Sequence, residues 1–116
     1  MVGDFMAKSA DKLLIVLVTV SSRREAEKIG QAVVKEKLSA CVNIVPAVTS
    51  IFRWQGKIQK SRERLLIVKT TEHRYAALEK LIRSMHSYEI PEIIAVKVDR
   101  GLNQYIAWVE QATTRD

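Results

Sequence analysis

The sequence predicts an α+β fold in which a four-stranded antiparallel sheet carries two long helices on one face. Two observations support this prediction: runs of β-branched residues, which are typical of strands, and segments of helical periodicity, which alternate with them along the 116 residues. A third observation concerns Ser39–Ile58, which contains a strand of roughly sixteen residues, against about five to six in an ordinary strand. Such a strand outgrows the sheet of a small domain, so we expect another chain to pair with it or cover it.

The first part of the chain predicts a strand followed by an amphipathic helix. Leu13–Val20 is almost continuously apolar, which predicts a strand buried on both faces. Ser22 and Glu25 have the spacing of a capping box, which marks the start of the first helix. The apolar positions of this helix recur at helical spacing, at Ala26, Ile29, Gly30, Val33, Val34 and Leu38.

The long second strand leads into a hairpin. Pro46 has no N–H to donate to a ladder, which places the strand at a sheet edge or at a bulge. Trp54–Lys57 predicts the turn, with Gly56 at a positive φ, and Arg64–Thr70 predicts the third strand.

The remaining chain predicts a helix, a short strand and a terminal helix. Thr70 or Thr71 can cap the second helix, and Pro91 favours extended backbone after it. Glu92–Val98 predicts the fourth strand, and Asn103 is expected to cap the third helix. The expected apolar sides are Tyr75, Leu78, Leu81, Ile82 and Met85 in the second helix, and Tyr105, Trp108, Val109 and Ala112 in the third.

The order β-α-β-β-α-β-α, with right-handed crossovers, is that of a ferredoxin-like split β-α-β unit with strand order 4-1-3-2. Both long helices then lie on one face, and the opposite face is bare. Because the first strand is apolar on both sides, association of subunits would cover that face. We expect one domain at 12–116, preceded by a flexible arm at 1–11.

Composition narrows the classes of function. The single Cys41 excludes an internal disulfide and a multi-cysteine zinc site, which suits the cytoplasm. The longest apolar run, Leu13–Val18, is too short for a membrane helix. A net charge of +6 fits a polyanion partner, but the first and third strands carry no aromatic residues for base stacking, so nucleic acid is not expected. Five basic residues lie near the turn: Arg53, Lys57, Lys60, Arg62 and Arg64. The preferred interpretation is that they keep the exposed edge of the long strand soluble, and the alternative is a binding site for a polyanion.

The sequence does not indicate an enzyme. The loop after the first strand lacks the glycines of a phosphate cradle, and Cys41 is interpreted as a small buried hydrophobe rather than a nucleophile. A metal site is harder to exclude. His86 lies at the end of the second helix, near Tyr88, Glu89 and Glu92, which suits a divalent ion such as Cu²⁺ or Zn²⁺. A histidine that caps the helix end is an equally good interpretation.

An ordered set of motifs resembles the divalent-cation tolerance proteins, the CutA family, from about Leu13 to the end of the third helix. The motifs are Ala40–Ile44, Ser50–Trp54, Gly56–Ile58, Glu63, Lys69–Thr70, His86–Glu92 and Tyr105–Trp108. The resemblance implies a ferredoxin-like subunit in a tight homotrimer, similar to the PII signalling proteins, with clefts between subunits. It also implies a cytoplasmic protein linked to tolerance of copper and other divalent metals.

The resemblance also implies roles for single residues. His86 matches a proposed metal ligand, and we expect Glu92 to accompany it. Residues expected at the ligand-binding cleft are Trp54, Glu63, Lys69, Tyr88 and Glu89. Residues expected at the trimer interface are Cys41, Asn43, Pro46, Ser50, Phe52 and Trp54.

The chain departs from the family pattern at four positions. Ser87 replaces the usual proline, and Phe52 stands where tyrosine is common. Val18 and Met85 occupy positions where some members carry a cysteine and a second histidine. Because two of three soft or imidazole ligands are missing, we expect any copper binding to be weak.

The sequence therefore predicts a non-enzymatic CutA-like trimer that binds a divalent metal ion or a small ligand in intersubunit clefts. One alternative is a PII-like receptor for an anionic metabolite, with Lys69, Arg53 and the basic hairpin as its recognition elements. Another is a trimeric scaffold that anchors partner proteins. No organic cofactor is expected.

Overall fold

The structure, a computed structural model, describes residues 12–115. The expected arm at 1–11 lies outside the described residues, as does Asp116. Within the described range, the elements follow the predicted order: β1 Leu13–Val20, α1 Arg23–Lys35, β2 Cys41–Trp54, β3 Lys57–Thr71, α2 Glu72–Met85, β4 Ile93–Lys97 and α3 Asn103–Ala112. In this part of the chain, no helix is both long enough and apolar enough to cross a membrane.

The four strands form one antiparallel sheet in the order β2-β3-β1-β4. This confirms the predicted α+β architecture and strand order. β1 pairs with β3 along its whole length, from Leu13 opposite Thr71 to Val20 opposite Arg64. β4 pairs with the other side of β1. The most apolar strand therefore lies inside the sheet, where its backbone groups are paired on both sides.

The helices α1 and α2 cover one face of this sheet. α1 begins where the capping box predicts, since the Ser22 hydroxyl accepts the Glu25 N–H at 3.1 Å. α2 begins after Thr71, whose side chain makes no capping hydrogen bond. The two helices and the sheet share one core, which includes Val16, Val18, Ala26, Ile29, Val33, Leu66, Val68, Leu78 and Ile82.

The opposite face of the sheet is open over much of its area, and we call it the open face. In β1, Val16 and Val18 are fully buried, whereas Ile15 and Leu17 on the other side are only half-buried. The prediction that β1 is buried on both faces is therefore wrong for a single subunit. The side chains of the open face include Ile15, Leu17, Leu65, Ile67, Ile94 and Val96.

α3 covers one end of the open face and corrects two predictions. Its buried residues are Ile106, which was not predicted, and Val109, which was, and both pack on Leu13. Tyr105 and Trp108 lie on the adjacent stripe, one residue out of phase, and are exposed. Asn103 is the first helical residue rather than the cap, which is Leu102.

β2 and β3 form one long hairpin, which makes the subunit 54 Å long. They pair from Cys41 opposite Lys69 to Trp54 opposite Lys57. The prediction that β3 begins at Arg64 is wrong, because the polar segment from Lys57 onward continues the ladder. The same pairing corrects the expectation that the second strand outgrows the sheet of its own domain, because β3 accompanies it to the turn. Of the two sides of β2, the outer one has no partner strand among the described residues.

Local backbone features of the hairpin agree with the sequence. Gln55 and Gly56 both have positive φ, 52° and 78°, as in the tight turns that match the twist of paired strands. The register shifts between Val45 and Val48, so Pro46 lies at an irregularity on an edge strand, as predicted.

Candidate functional site

The hairpin projects beyond the rest of the sheet. β1 ends at Val20, opposite Arg64. Followed outward from there towards the turn, β3 has a neighbouring strand on one side only, beginning at Glu63. The segment that joins α2 to β4 contains Tyr88, whose side chain reaches Glu63 at this point. The junction between the body of the subunit and its projecting hairpin is therefore built from segments distant in sequence.

A depression of about 410 Å³ lies at this junction, and we call it the joint groove. Its hairpin side uses alternate residues of β3, which share one face of the strand, and the β2 residues next to them. Its other side comes from the α2–β4 segment. The lining residues are Phe52, Trp54, Gln59, Ser61, Glu63, Tyr88, Glu89 and Ile90. Four of the five residues expected at the ligand cleft lie together here.

Glu63 and Tyr88 form the polar centre of the joint groove. Glu63 is only 7 % exposed, and the Tyr88 hydroxyl donates to its Oε2 at 2.6 Å. Burial raises the pKa of Tyr88 far above its usual 10, and the Glu63 hydrogen bond and charge, with a smaller effect from Glu25, raise it further. The phenol therefore keeps its proton and acts as a hydrogen-bond donor throughout the physiological pH range.

His86 holds the segment that carries Tyr88. Its side chain is fully buried, with Nε2 at 2.8 Å from the Thr19 carbonyl oxygen. The Tyr88 N–H donates to Nδ1 at 3.1 Å. Because a carbonyl oxygen only accepts, these partners assign the proton to Nε2 and a neutral imidazole to His86. The His86 and Tyr88 rings are also in contact, with centroids 4.8 Å apart.

Glu25 anchors the same segment from α1. It accepts the Ser87 N–H at 2.8 Å, the Ser87 hydroxyl at 3.0 Å and the Ser21 hydroxyl at 3.1 Å. Burial alone would raise the pKa of Glu25, but the hydrogen bonds from Ser87 and Ser21 outweigh it, so its pKa lies below the usual 4.5. A proline at position 87 would offer neither donor, so the departure from the family pattern creates this anchor.

A metal ion fits poorly at the predicted ligands His86 and Glu92. An imidazole ligand needs a free ring nitrogen, and both nitrogens of His86 are engaged within the subunit. Glu92 is exposed. Residues 12–115 contain no group of three or more His, Cys, Asp or Glu side chains placed to hold a metal ion. Metal binding at these two residues stays a prediction, and it gains no support within one subunit.

Lys69, the fifth expected cleft residue, lies at the other end of β3. Its ammonium group donates to the Asn43 side-chain oxygen and lies 3.9 Å from the Cys41 sulfur. A single subunit therefore does not bring Lys69 to the joint groove.

Cys41 is a half-buried free thiol, and Tyr105 lies beside it. Burial raises the pKa of Tyr105, and the nearby Cys41 raises it further.

The residues predicted at the trimer interface all lie on β2, the edge strand. Val18 and Met85, which replace ligands found in some members, have packing roles instead: Val18 is in the core and Met85 packs against it. The sequence reasoning missed Ile94 and Val96 of β4, which are 56 % and 57 % exposed. It also missed Ile90 in the joint groove. The signal for Ile94 and Val96 was available, because β4 is largely apolar and the sheet was expected to have a bare face.

Comparison with known sequences gives one consistent result. The family described as CutA1 divalent ion tolerance protein matches residues 14–112. The divalent-cation tolerance protein CutA of Thermus thermophilus is 44 % identical over 99 residues, which cover 85 % of this chain and 96 % of that protein. Protein CutA of Mus musculus is 43 % identical over 96 residues, or 83 % of this chain and 54 % of the relative. The chain thus spans about half the length of the mouse protein.

Solved structures agree with the sequence comparison. The Cut A1 protein of Thermus thermophilus has a TM-score of 0.86 at 43 % identity and covers 88 % of this chain and 99 % of its own. CutA1 from Oryza sativa has a TM-score of 0.88 at 35 % identity, covering 93 % and 99 %. A protein from Archaeoglobus fulgidus described as periplasmic divalent cation tolerance protein CutA has a TM-score of 0.85 at 35 % identity, covering 88 % and 99 %.

Proposed function

Because the chain belongs to the CutA1 divalent ion tolerance protein family, we propose that it acts in divalent-cation tolerance as a homotrimer that binds a small ligand in intersubunit grooves, without catalysing a reaction. One observation carries this proposal. Aromatic and carboxylate side chains from β2, β3 and the α2–β4 segment converge on the joint groove, and buried hydrogen bonds hold them there. Convergent polar groups in an apolar depression are typical of ligand sites.

The open face supports the assembly. Ile94 and Val96 are more than half exposed, and they lie beside the half-buried Ile15 and Leu17 of β1. A contiguous apolar surface on a sheet is typical of a protein–protein interface. Phe52 and Trp54, 42 % and 45 % exposed near the tip of the hairpin, extend this apolar surface to the joint groove. A neighbouring subunit on the open face would therefore border the groove.

The two alternative functions receive different support. A receptor for anionic metabolites would use Lys69 and Arg53, yet Arg53 alternates with Trp54 and so lies on the opposite face of β2 from the groove. A scaffold that anchors partner proteins would use the open face, as the proposed trimer would. The acidic and aromatic lining of the groove disfavours an anionic metabolite, and a scaffold has no need of such a groove. A cytoplasmic location stays a prediction, since relatives include a chloroplastic protein of Arabidopsis thaliana and one described as periplasmic.

Tryptophan fluorescence tests ligand binding directly. The chain has two tryptophans, so a Trp108→Phe background leaves Trp54 as the reporter of the groove. Ligands of several classes are titrated: Zn²⁺, Cu²⁺, a nucleotide, an organic acid and an organic ammonium. We expect at least one class to change the Trp54 emission saturably, and Tyr88→Ala to abolish that change. If no class does so, the proposed ligand-binding function is wrong.

The metal version is tested at His86. Cu²⁺ and Zn²⁺ are titrated calorimetrically into the wild type and His86→Ala. A direct ligand role predicts that the variant loses binding. Because both ring nitrogens of His86 are engaged in hydrogen bonds, we expect identical isotherms, which would show that His86 is not a metal ligand.

A further inference from the structure

Resting on the proposed function of the joint groove, we propose that its ligand is an organic cation with an apolar body, such as an alkylated ammonium group. The proposal names the ligand class of the groove. It follows from three features: aromatic faces, an unpaired buried carboxylate, and the separation of acidic from basic side chains on the hairpin.

The aromatic side chains come from two directions. Phe52 and Trp54 extend from β2, and Tyr88 extends from the α2–β4 segment. Within one subunit, Phe52 and Trp54 are over two-fifths exposed, so their rings can contact both a ligand in the groove and the neighbouring subunit that borders it, while Tyr88 is half-buried. Aromatic faces attract weakly hydrated cations, tryptophan most strongly, and rings around a depression are a common way to bind alkylated ammonium groups.

The Glu63 carboxylate supplies the opposite charge. Glu63 is only 7 % exposed, and its hydrogen-bond donor is the neutral Tyr88 hydroxyl. None of the ion pairs found within the described residues involves Glu63 or its groove neighbour Glu89. Buried charges in proteins are normally paired, so an unpaired carboxylate in an open groove indicates a cationic ligand.

The hairpin separates its charges by face. Gln59, Ser61 and Glu63 alternate with Lys60 and Arg62, so the basic side chains lie on the face away from the groove. Lys57 shares the groove face at the turn but does not line the groove. A chain with a net charge of +6 thus contributes, from one subunit, two carboxylates and no basic side chain to the lining of this depression. Anions are disfavoured there, and a cation is favoured.

An organic cation fits better than a bare divalent ion. Hard ions such as Mg²⁺ and Ca²⁺ need about six oxygen ligands, and softer ions prefer imidazole or thiolate. The groove offers two carboxylates and no imidazole or thiolate. Its aromatic and aliphatic surface would remain uncovered by a metal ion, whereas methyl or alkyl groups on an ammonium nitrogen would bury it.

Three probes with one apolar body and different charges test the class. They are tetramethylammonium, the neutral tert-butanol and the anionic pivalate, each titrated into the intact protein with the Trp54 reporter described above. We expect tetramethylammonium to bind about tenfold or more tighter than tert-butanol, and pivalate not to bind. Glu63→Gln should remove the preference for the cation and leave the weak binding of tert-butanol unchanged. Ile51→Ala, on the opposite face of the hairpin, is the matched control and should change neither.

The outcomes separate this proposal from the proposed function. Equal binding of tetramethylammonium and tert-butanol, or tighter binding of pivalate, would overturn the cation class and leave a ligand-binding groove. A saturable Trp54 response to a metal ion or nucleotide but not to tetramethylammonium would do the same. No Trp54 response to any class would overturn both. Circular dichroism of Glu63→Gln confirms that the variant is folded before binding is compared.

Discussion

The two halves of the β2–β3 hairpin contrast within a single ladder. In the inner half, next to β1, Leu66, Val68 and Thr70 are completely buried beneath the helices. In the outer half, every residue from 51 to 60 is exposed. The pairing is continuous apart from the irregularity at Pro46, so the difference comes from what covers the strands and not from the strands themselves.

This contrast assigns different tasks to the two halves. Buried apolar area stabilises the subunit, and the inner half contributes it. The outer half buries little in one subunit, yet it carries Phe52, Trp54 and the β3 side of the joint groove. The junction lies where β1 ends and Glu63 meets Tyr88. Stability and binding should therefore respond to mutations at different positions along the same two strands.

The largest effect is expected in the inner half. Leu66→Ala should lower the free energy of unfolding by about 2–5 kcal/mol, because it leaves a cavity in a fully buried site. Ile58→Ala is the matched change in the outer half, where the side chain is 64 % exposed, and should cost about 0.5 kcal/mol or less. Chemical denaturation of both variants measures this difference. Equal costs would contradict the division of the hairpin.

The next effect concerns the open face. Ile94→Lys should weaken association about a hundredfold, equivalent to about 3 kcal/mol, because the interface would bury an unpaired ammonium group. Val34→Lys is the control, since Val34 is similarly exposed but lies on α1, away from the open face. Sedimentation velocity across a concentration series compares the two. Dissociation of the α1 variant alone would place the interface on the helical face.

Glu25 should make a smaller contribution that depends on pH. Glu25→Gln should cost about 1.5–3 kcal/mol near pH 7, because Ser87 and Ser21 donate to a charged acceptor. The pKa of Glu25 is lower in the folded protein than the usual 4.5, so its charge stabilises the fold above that pH. This contribution should disappear as the pH falls below about 4.5 and the carboxylate binds a proton.

Denaturation of the wild type and Glu25→Gln from pH 7 to pH 3 measures the difference between them. The two stabilities should converge in the acidic range. Glu27→Gln is the control, because its ion pair with Arg23 is exposed and should contribute less than about 1 kcal/mol at any pH. A constant gap between wild type and Glu25→Gln down to pH 3 would contradict the role of the Glu25 charge.

The smallest effect on stability is expected at the groove. Tyr88→Phe removes the donor to Glu63 and should cost about 1–2 kcal/mol in the free energy of unfolding. Spectrophotometric titration provides a second readout. Burial also raises the pKa values of Tyr75 and Tyr105, but the pKa of Tyr88 is raised far more, so Tyr88→Phe should leave the first tyrosinate absorbance that develops above pH 10 unchanged. A loss of absorbance there would show that Tyr88 ionises normally and is not held by Glu63.

The sequence predicted those parts of the fold that depend on local pattern. The apolar run of β1, the Ser22 cap and the turn at Gly56 each have a local signal, and each is confirmed. The start of β3 was missed, because Lys57–Glu63 is polar apart from Ile58 and is held as a strand by pairing with β2. Of the apolar side predicted for α3, Val109 is confirmed, but Tyr105 and Trp108 are exposed and the buried Ile106 was missed, since the apolar residues fit two adjacent stripes.

The candidate site was predictable as a set of residues but not as a geometry. Trp54, Glu63, Tyr88 and Glu89 were expected at a cleft, and the structure brings them together. The hydrogen bond between His86 and Thr19 and the contact of Glu25 with Ser87 join segments more than sixty residues apart. No local pattern encodes such contacts. The sequence therefore could not show that the His86 ring, which was expected to bind a metal ion, instead holds Tyr88 in place.

Native mass spectrometry of the purified protein tests the central claim most directly, namely that the open face and the outer half of the hairpin serve an assembly. The account predicts a species of three times the 13.2 kDa subunit mass, with Ile94→Lys shifting the population towards single subunits. A wild-type protein that remains a single subunit at micromolar concentration would contradict it, because the apolar open face and the hairpin would then have no partner.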